Sequence, residues 1–84
     1  MDRKIKDEIG ARFIRAYRLL YLDKIVANKK EFCTKVHLFQ QNFSVIEQGR
    51  MTCSLDNIYY LSTVFGVSLD WLIKGEGDFI IKKD

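Results

Sequence analysis

Apolar residues recur every three or four positions along most of this sequence, which is the spacing of one face of an α-helix. The first such run covers about residues 5–22 and places Ile9, Phe13 and Leu20 on its apolar face. Proline, the residue that interrupts helices most strongly, is absent from all 84 residues. The pattern therefore predicts an all-α protein.

Capping residues and glycines divide the rest of the chain into shorter helical segments. Asn28 followed by Glu31 has the spacing of a capping box, and Gly49 and Gly66 are typical of helix ends. Residues 23–27 break the pattern and predict a connection, extended at Ile25 and Val26. The expected shorter helices are 29–36, 40–48, 55–65 and 69–74, with Leu69 and Leu72 of the last one facing inward.

A chain of 84 residues has the length of one domain. We expect residues 1–77 to form that domain. The remaining tail, residues 78–84, reads DFIIKKD. It is compatible with a strand, a dimer contact made by residues 79–81, or a frayed end.

Charge is distributed unevenly along the chain. Residues 1–50 carry eleven Lys and Arg against six Asp and Glu, a net charge of +5, whereas residues 51–84 carry three against five, a net charge of −2. This asymmetry indicates an anionic partner on one side of the domain, or else a well-solvated surface without a partner.

The sequence lacks the patterns that usually indicate a metal site, an enzyme, or a membrane or secreted protein. Cys33 and Cys53 have no spacing typical of a zinc site, so we expect two free thiols, with a disulfide between them as the alternative, and no metal or cofactor. Cys33 and His37 lie one helical turn apart, but no acid is placed to orient the histidine, so no enzyme and no small-molecule substrate are expected. The sequence has neither a membrane-spanning run nor a signal-peptide core near its start, which predicts a cytoplasmic protein.

Two short helices joined by a tight turn, the second with a polar outer face, are typical of a helix-turn-helix. Amide side chains donate and accept hydrogen bonds at once, which suits the reading of base edges, although they are also common on solvated surfaces. The outer positions of the second short helix are Gln40, Gln41, Asn42, Ser44, Val45 and Gln48.

The runs NKKEFCTKVHLFQQNFSVIEQGR and SLDNIYYLSTVFGVSLDWLIKGEG resemble the Cro/lambda-repressor-type helix-turn-helix family, also called the XRE family. The resemblance covers about residues 9–77. It implies a compact five-helix, lambda-repressor-like DNA-binding domain whose third helix enters the major groove. Base-reading residues implied by the resemblance are Gln40, Gln41, Asn42, Ser44 and Val45.

The resemblance also implies roles outside base reading. Glu47 is expected to pair with an arginine of the first helix, Arg12 or Arg15, which would make it structural. The expected phosphate contacts are Lys29, Lys35, Gln48, Arg50 and Asn57.

Four positions depart from the family pattern: Lys29 replaces a glutamine, His37 the turn glycine, Phe39 a serine or threonine, and Cys53 a proline. His37 is expected to adopt the left-handed conformation of the turn, with a metal ligand or a pH switch as alternatives. Phe39 cannot cap the third helix, at a cost of about 1 kcal/mol. It would either pack inward or lie exposed against a thymine methyl group or a sugar.

These features together predict a sequence-specific double-stranded DNA-binding protein, a small transcriptional regulator of prokaryotic or phage type, and more specifically a repressor. The family resemblance implies a homodimer on a palindromic operator, with half-sites roughly 34 Å apart. The alternative is a protein-interaction module, such as an antitoxin or an anti-repressor, that keeps the fold with weak or no DNA binding.

Overall fold

The computed structural model describes residues 2–80, which form four α-helices and one π-helical turn. The helices are α1, Arg3–Leu22; α2, Lys29–Lys35; α3, Gln40–Glu47; and α4, Leu55–Phe65; the π-helical turn is Asp70–Lys74. Extended backbone within residues 2–80 pairs at one isolated antiparallel bridge, between Val67 and Ile80. The predicted all-α class is confirmed.

Helix α1 begins two residues earlier than the periodicity predicted. The Asp2 side chain accepts a hydrogen bond of 3.1 Å from the Lys4 N–H and so caps the first turn. The helix places one face against the rest of the domain, with Ile9, Phe13, Ile14, Ala16 and Leu20 buried.

Three phenylalanines, one each from α1, α2 and α3, meet at the centre of the core. The Phe13 and Phe32 rings are 5.4 Å apart and the Phe32 and Phe43 rings 6.2 Å apart, both edge to face. Tyr17 adds edge-to-face contacts to Phe32 and Phe43. This cluster fixes the short helices α2 and α3 against α1, because helices of seven and eight residues depend on packing for their stability.

The connection between α1 and α2 begins with a tight turn at Lys24, ahead of the Ile25 and Val26 that were expected to be extended. Lys24 has a left-handed backbone with φ of 62°. The Ile25 N–H donates to the Leu20 carbonyl oxygen at 2.9 Å, which ends α1. Val26 is fully buried and closes the core below this turn.

The last helical segment is wound more widely than an α-helix. The prediction that Leu69 and Leu72 both face inward is therefore wrong for Leu69. Leu72 is buried, but Leu69 is 45% exposed. The Gly75 N–H donates to the Asp70 carbonyl oxygen, five residues earlier and so one residue beyond the α-helical spacing. Because positions three apart diverge further around a wider helix, Leu69 and Leu72 do not share a face.

The tail packs on the domain as far as it is described. The Ser68 N–H donates to the Phe79 carbonyl oxygen at 2.8 Å, and the Phe79 ring lies 4.7 Å from Trp71 in an edge-to-face contact. A strand was one of the three expectations for this segment; residues 78–80 form only the isolated bridge at Ile80, and no strand. Residues 81–84, which include Ile81 of the expected dimer contact, lie outside the described residues.

Between residues 2 and 80, none of the helices combines the length and the apolar character needed to cross a membrane.

Candidate nucleic-acid interface

Helix α3 is held to the core by one side and leaves the other side open. Phe43 and Ile46, three residues apart, are buried. On the opposite side, four polar residues are exposed, and the neighbouring Asn42 and Val45 are partly exposed. The exposed residues are Gln40, Gln41, Ser44 and Gln48. The predicted base-reading residues therefore lie on one accessible strip of the helix.

The turn before α3 adopts the predicted left-handed geometry at His37, where φ is 59°. The His37 ring stacks on Tyr60, with centroids 3.9 Å apart and an angle of 16° between the planes. Leu38 packs against the core, and its N–H donates to the Cys33 carbonyl oxygen at 2.9 Å. The turn therefore connects α2 to α3 through four residues and sets the position of α3 relative to α2.

Phe39 is the N-cap of α3 and forms no side-chain hydrogen bond to the helix start, as predicted. Its side chain does not pack inward. It is 74% exposed, directly beside the exposed Gln40 and Gln41.

The two lysines expected at phosphates are exposed but already have acidic neighbours. Lys29 Nζ lies 3.9 Å from Glu47 Oε1 and 5.1 Å from the centre of the Phe43 ring. Lys35 Nζ lies 3.8 Å from Glu31 Oε2. Exposed pairs of this kind contribute about 0–1 kcal/mol, so an anion could compete for either lysine.

The arginine partner of Glu47 is neither Arg12 nor Arg15, so that prediction is wrong. Arg18 Nη2 lies 3.4 Å from Glu47 Oε2. Because a residue three positions along a helix is rotated by about 60° in the reverse sense, the three arginines face different neighbours. Arg15 is exposed and makes no ion pair with another described residue.

Arg12 instead caps the end of the last helical segment. Its Nε donates to the Leu72 carbonyl oxygen at 2.6 Å, and its Nη2 donates to the Ile73 carbonyl oxygen at 2.8 Å. A cation is favourable at a helix C-terminus, where carbonyl oxygens lack partners. Arg12 is therefore structural, but through a different contact from the one predicted.

Asn57 is buried and not a phosphate contact, so that prediction is wrong as well. The side chain is 3% exposed. Its Oδ1 accepts from the Ser54 N–H at 2.9 Å, and its Nδ2 donates to the carbonyl oxygens of Val36 at 2.9 Å and His37 at 3.3 Å. The sequence did contain a signal for this role, since Ser54 and Asn57 have capping-box spacing.

Three exposed cations that were not singled out from the sequence, Arg3, Lys6 and Lys30, lie beside two that were, Arg50 and Lys29. Arg3 and Lys6 of α1 lie with Arg50 around a surface depression of about 180 Å³ at the end of α3. A second depression, of about 490 Å³, has Lys29 and Lys30 on its wall together with Gln40. The two basic groups therefore flank α3. Arg50 lies beyond the end of the helix, and Lys29 and Lys30 lie beside its start.

The chemistry of nucleophilic catalysis is unfavourable at both cysteines. Burial raises the pKa of the Cys33 thiol, and burial likewise raises the pKa of the Cys53 thiol. A thiol that keeps its proton is a poor nucleophile. No group of three or more potential metal-ligating side chains comes together among residues 2–80.

No family model, curated protein or solved structure matches this chain.

Proposed function

We propose that this protein binds double-stranded DNA in a sequence-specific way, as a lambda-repressor-like helix-turn-helix domain with α3 in the major groove. The observation that carries the proposal is the exposed, uncharged amide strip of α3, directly after a four-residue turn from α2. Gln and Asn pair in bidentate fashion with adenine, and Ser donates or accepts at several bases. The side chains Gln40, Gln41, Asn42, Ser44 and Val45 would face the base edges.

Positioning on the duplex would come from the cations that flank α3. Arg50 and Lys29 are the first candidates, with Arg3, Lys6 and Lys30 beside them in the two depressions. Contacts to phosphates fix register and orientation but carry no sequence information. This division explains why α3 itself can remain free of Lys and Arg.

The biological role we propose is that of a small transcriptional regulator acting by occupancy of its operator. A dimer on a palindromic site would place two copies of α3 in successive major grooves, roughly 34 Å apart. Occupancy of such a site blocks polymerase and makes repression the favoured outcome.

The proposal is tested by selecting bound duplexes from a random oligonucleotide pool. The enriched sequence is then titrated by fluorescence anisotropy at several salt concentrations. We expect an enriched palindrome and an affinity that falls steeply with salt, because neutralised phosphates release counterions. Failure to enrich any sequence, together with salt-independent binding, would contradict the proposal.

A second candidate function is a protein-interaction module of the antitoxin or anti-repressor kind. It is favoured by one observation: both lysines that the sequence predicted to contact phosphate, Lys29 and Lys35, already lie beside an acidic side chain, Glu47 and Glu31 respectively. Affinity for a purified protein partner at a salt concentration that abolishes DNA binding would support this candidate.

A further inference from the structure

Among residues 2–80, no contact accounts for a phenylalanine at position 39. Leu38, not Phe39, belongs to the apolar residues that pack against the core. The side chain of Phe39 makes no capping hydrogen bond, where Ser, Thr, Asp or Asn would make one. Folding alone would therefore favour a small polar residue at this position.

The place of Phe39 in the proposed complex gives the ring a specific neighbour. The N-terminal residues of a recognition helix reach base edges in the major groove, and Phe39 immediately precedes the exposed Gln40 and Gln41. A phenyl ring has neither a donor nor an acceptor. The apolar group that a base pair presents in this groove is the 5-methyl group of thymine.

We infer that Phe39 contacts the 5-methyl group of a thymine and thereby specifies a T·A pair at one position of each half-site. The inference rests on the proposed function and deepens it, because it assigns an apolar contact to an otherwise polar reading surface. Burial of one methyl-sized group changes an equilibrium about fourfold, which sets the size of the expected effect.

The experiment replaces each thymine of the selected operator, one at a time, by deoxyuridine, which lacks only the methyl group. Affinities are measured for the wild type and for Phe39→Ser, a variant that should keep α3 because serine is a favoured N-cap. For the wild type we expect one position per half-site at which deoxyuridine weakens binding by about fourfold. For Phe39→Ser we expect no loss at that position and an unchanged salt dependence.

Leu22→Ser is the matched control, because Leu22 is similarly exposed, at 72%, but lies at the end of α1. It should keep the wild-type response to deoxyuridine. Phe39→Leu, which keeps an apolar side chain at the N-cap, should retain part of the response. Circular dichroism of each variant establishes that the helices are intact.

Two results would overturn the inference and leave the proposed function standing. One is that each deoxyuridine substitution changes the DNA affinity of the wild type and of Phe39→Ser by the same factor. The other is a set of DNA affinities unchanged by Phe39→Ser while binding to a protein partner is lost, which would assign the ring to that partner. Absence of selective, salt-sensitive DNA binding by the wild type would instead remove the proposed function and the inference with it.

Discussion

The Asn57 side chain donates a hydrogen bond of 2.9 Å to the Val36 carbonyl oxygen and thereby joins α4 to the turn that precedes α3. The Nδ2 of the same side chain also donates to the His37 carbonyl oxygen, and its Oδ1 accepts from the Ser54 N–H. One buried residue therefore satisfies three main-chain groups in two segments. The orientation of the turn, and with it the placement of α3, depends on this amide.

Asn57→Ala should destabilise the domain by about 2–3 kcal/mol, because it leaves buried carbonyl oxygens and a helix cap without partners. The measurement is the urea midpoint followed by circular dichroism. Ser54→Ala is the matched control, since it removes the hydrogen bond from the Asn57 N–H to the cap but keeps the link to the turn. The free energy of unfolding of this control should fall by only about 1 kcal/mol. Equal losses in the two variants would show that the link to the turn contributes nothing.

Removal of the Glu47 charge should strengthen DNA binding. Glu47 lies 3.9 Å from Lys29 and 3.4 Å from Arg18, so in the proposed complex the carboxylate would compete with a phosphate for either cation. Glu47→Gln should therefore raise affinity for all sequences alike at low salt, at a stability cost of less than about 1 kcal/mol. Anisotropy titrations against specific and random duplexes measure the first effect. A large loss of stability with no gain in affinity would assign Glu47 a purely structural role.

Lys29→Ala should weaken binding to every duplex and reduce the salt dependence by about one unit, as expected for the loss of one phosphate contact. Lys74→Ala is the matched control, because Lys74 is equally cationic and exposed but lies in the C-terminal π-helical turn. It should leave the salt dependence unchanged. A similar reduction in both variants would mean that overall charge, and not a local contact, governs affinity.

The parts of the structure that follow local rules could be predicted from the sequence. The burial of Phe43 and Ile46 follows from helical periodicity. The left-handed backbone of His37 follows from its position in the turn. The arginine partner of Glu47 could not be predicted, because Arg12, Arg15 and Arg18 are equivalent until α1 has packed against α3. Only that packing, which is non-local, selects Arg18.

Asn57 shows a second limit of the sequence. A polar residue near the start of a helix is usually exposed, and its capping role fits an exposed position equally well. Burial comes from the turn at residues 36 and 37, some twenty residues earlier in the chain, which covers the start of α4. The accessible surface of the candidate site was therefore predictable on α3, and its support from α4 was not.

Gln41→Ala should remove discrimination at one or two base pairs of the selected operator, by about 1–3 kcal/mol at each. Gln41 is exposed on the outer strip of α3, where truncation leaves the core unchanged. The measurement compares affinities for operators with single base changes. Nonspecific affinity and salt dependence should stay at their wild-type values, in contrast to Lys29→Ala. If the two variants behave alike, the separation of base reading from phosphate contact is wrong.

Alkaline pH should destabilise the folded domain through its buried thiols. Burial raises the pKa of Cys33 and of Cys53, and burial also raises the pKa of Tyr17. In the unfolded chain a thiol ionises near its ordinary pKa of about 8.5. Above that pH the unfolded state binds fewer protons than the folded state, so the free energy of unfolding falls as pH rises.

The contribution of these groups is complete below the unfolded pKa and disappears as pH rises through the folded pKa, so the urea midpoint should be constant near pH 7 and decline towards pH 10. Cys53→Ala removes one of the buried thiols, and its midpoint should decline less steeply over the same interval. Iodoacetamide should label either cysteine slowly at pH 8 until urea unfolds the chain, because burial disfavours the reactive thiolate. A midpoint that holds constant up to pH 10 would show that the thiols ionise alike in the folded and unfolded states, and a midpoint that rises would show that they ionise more readily in the folded state.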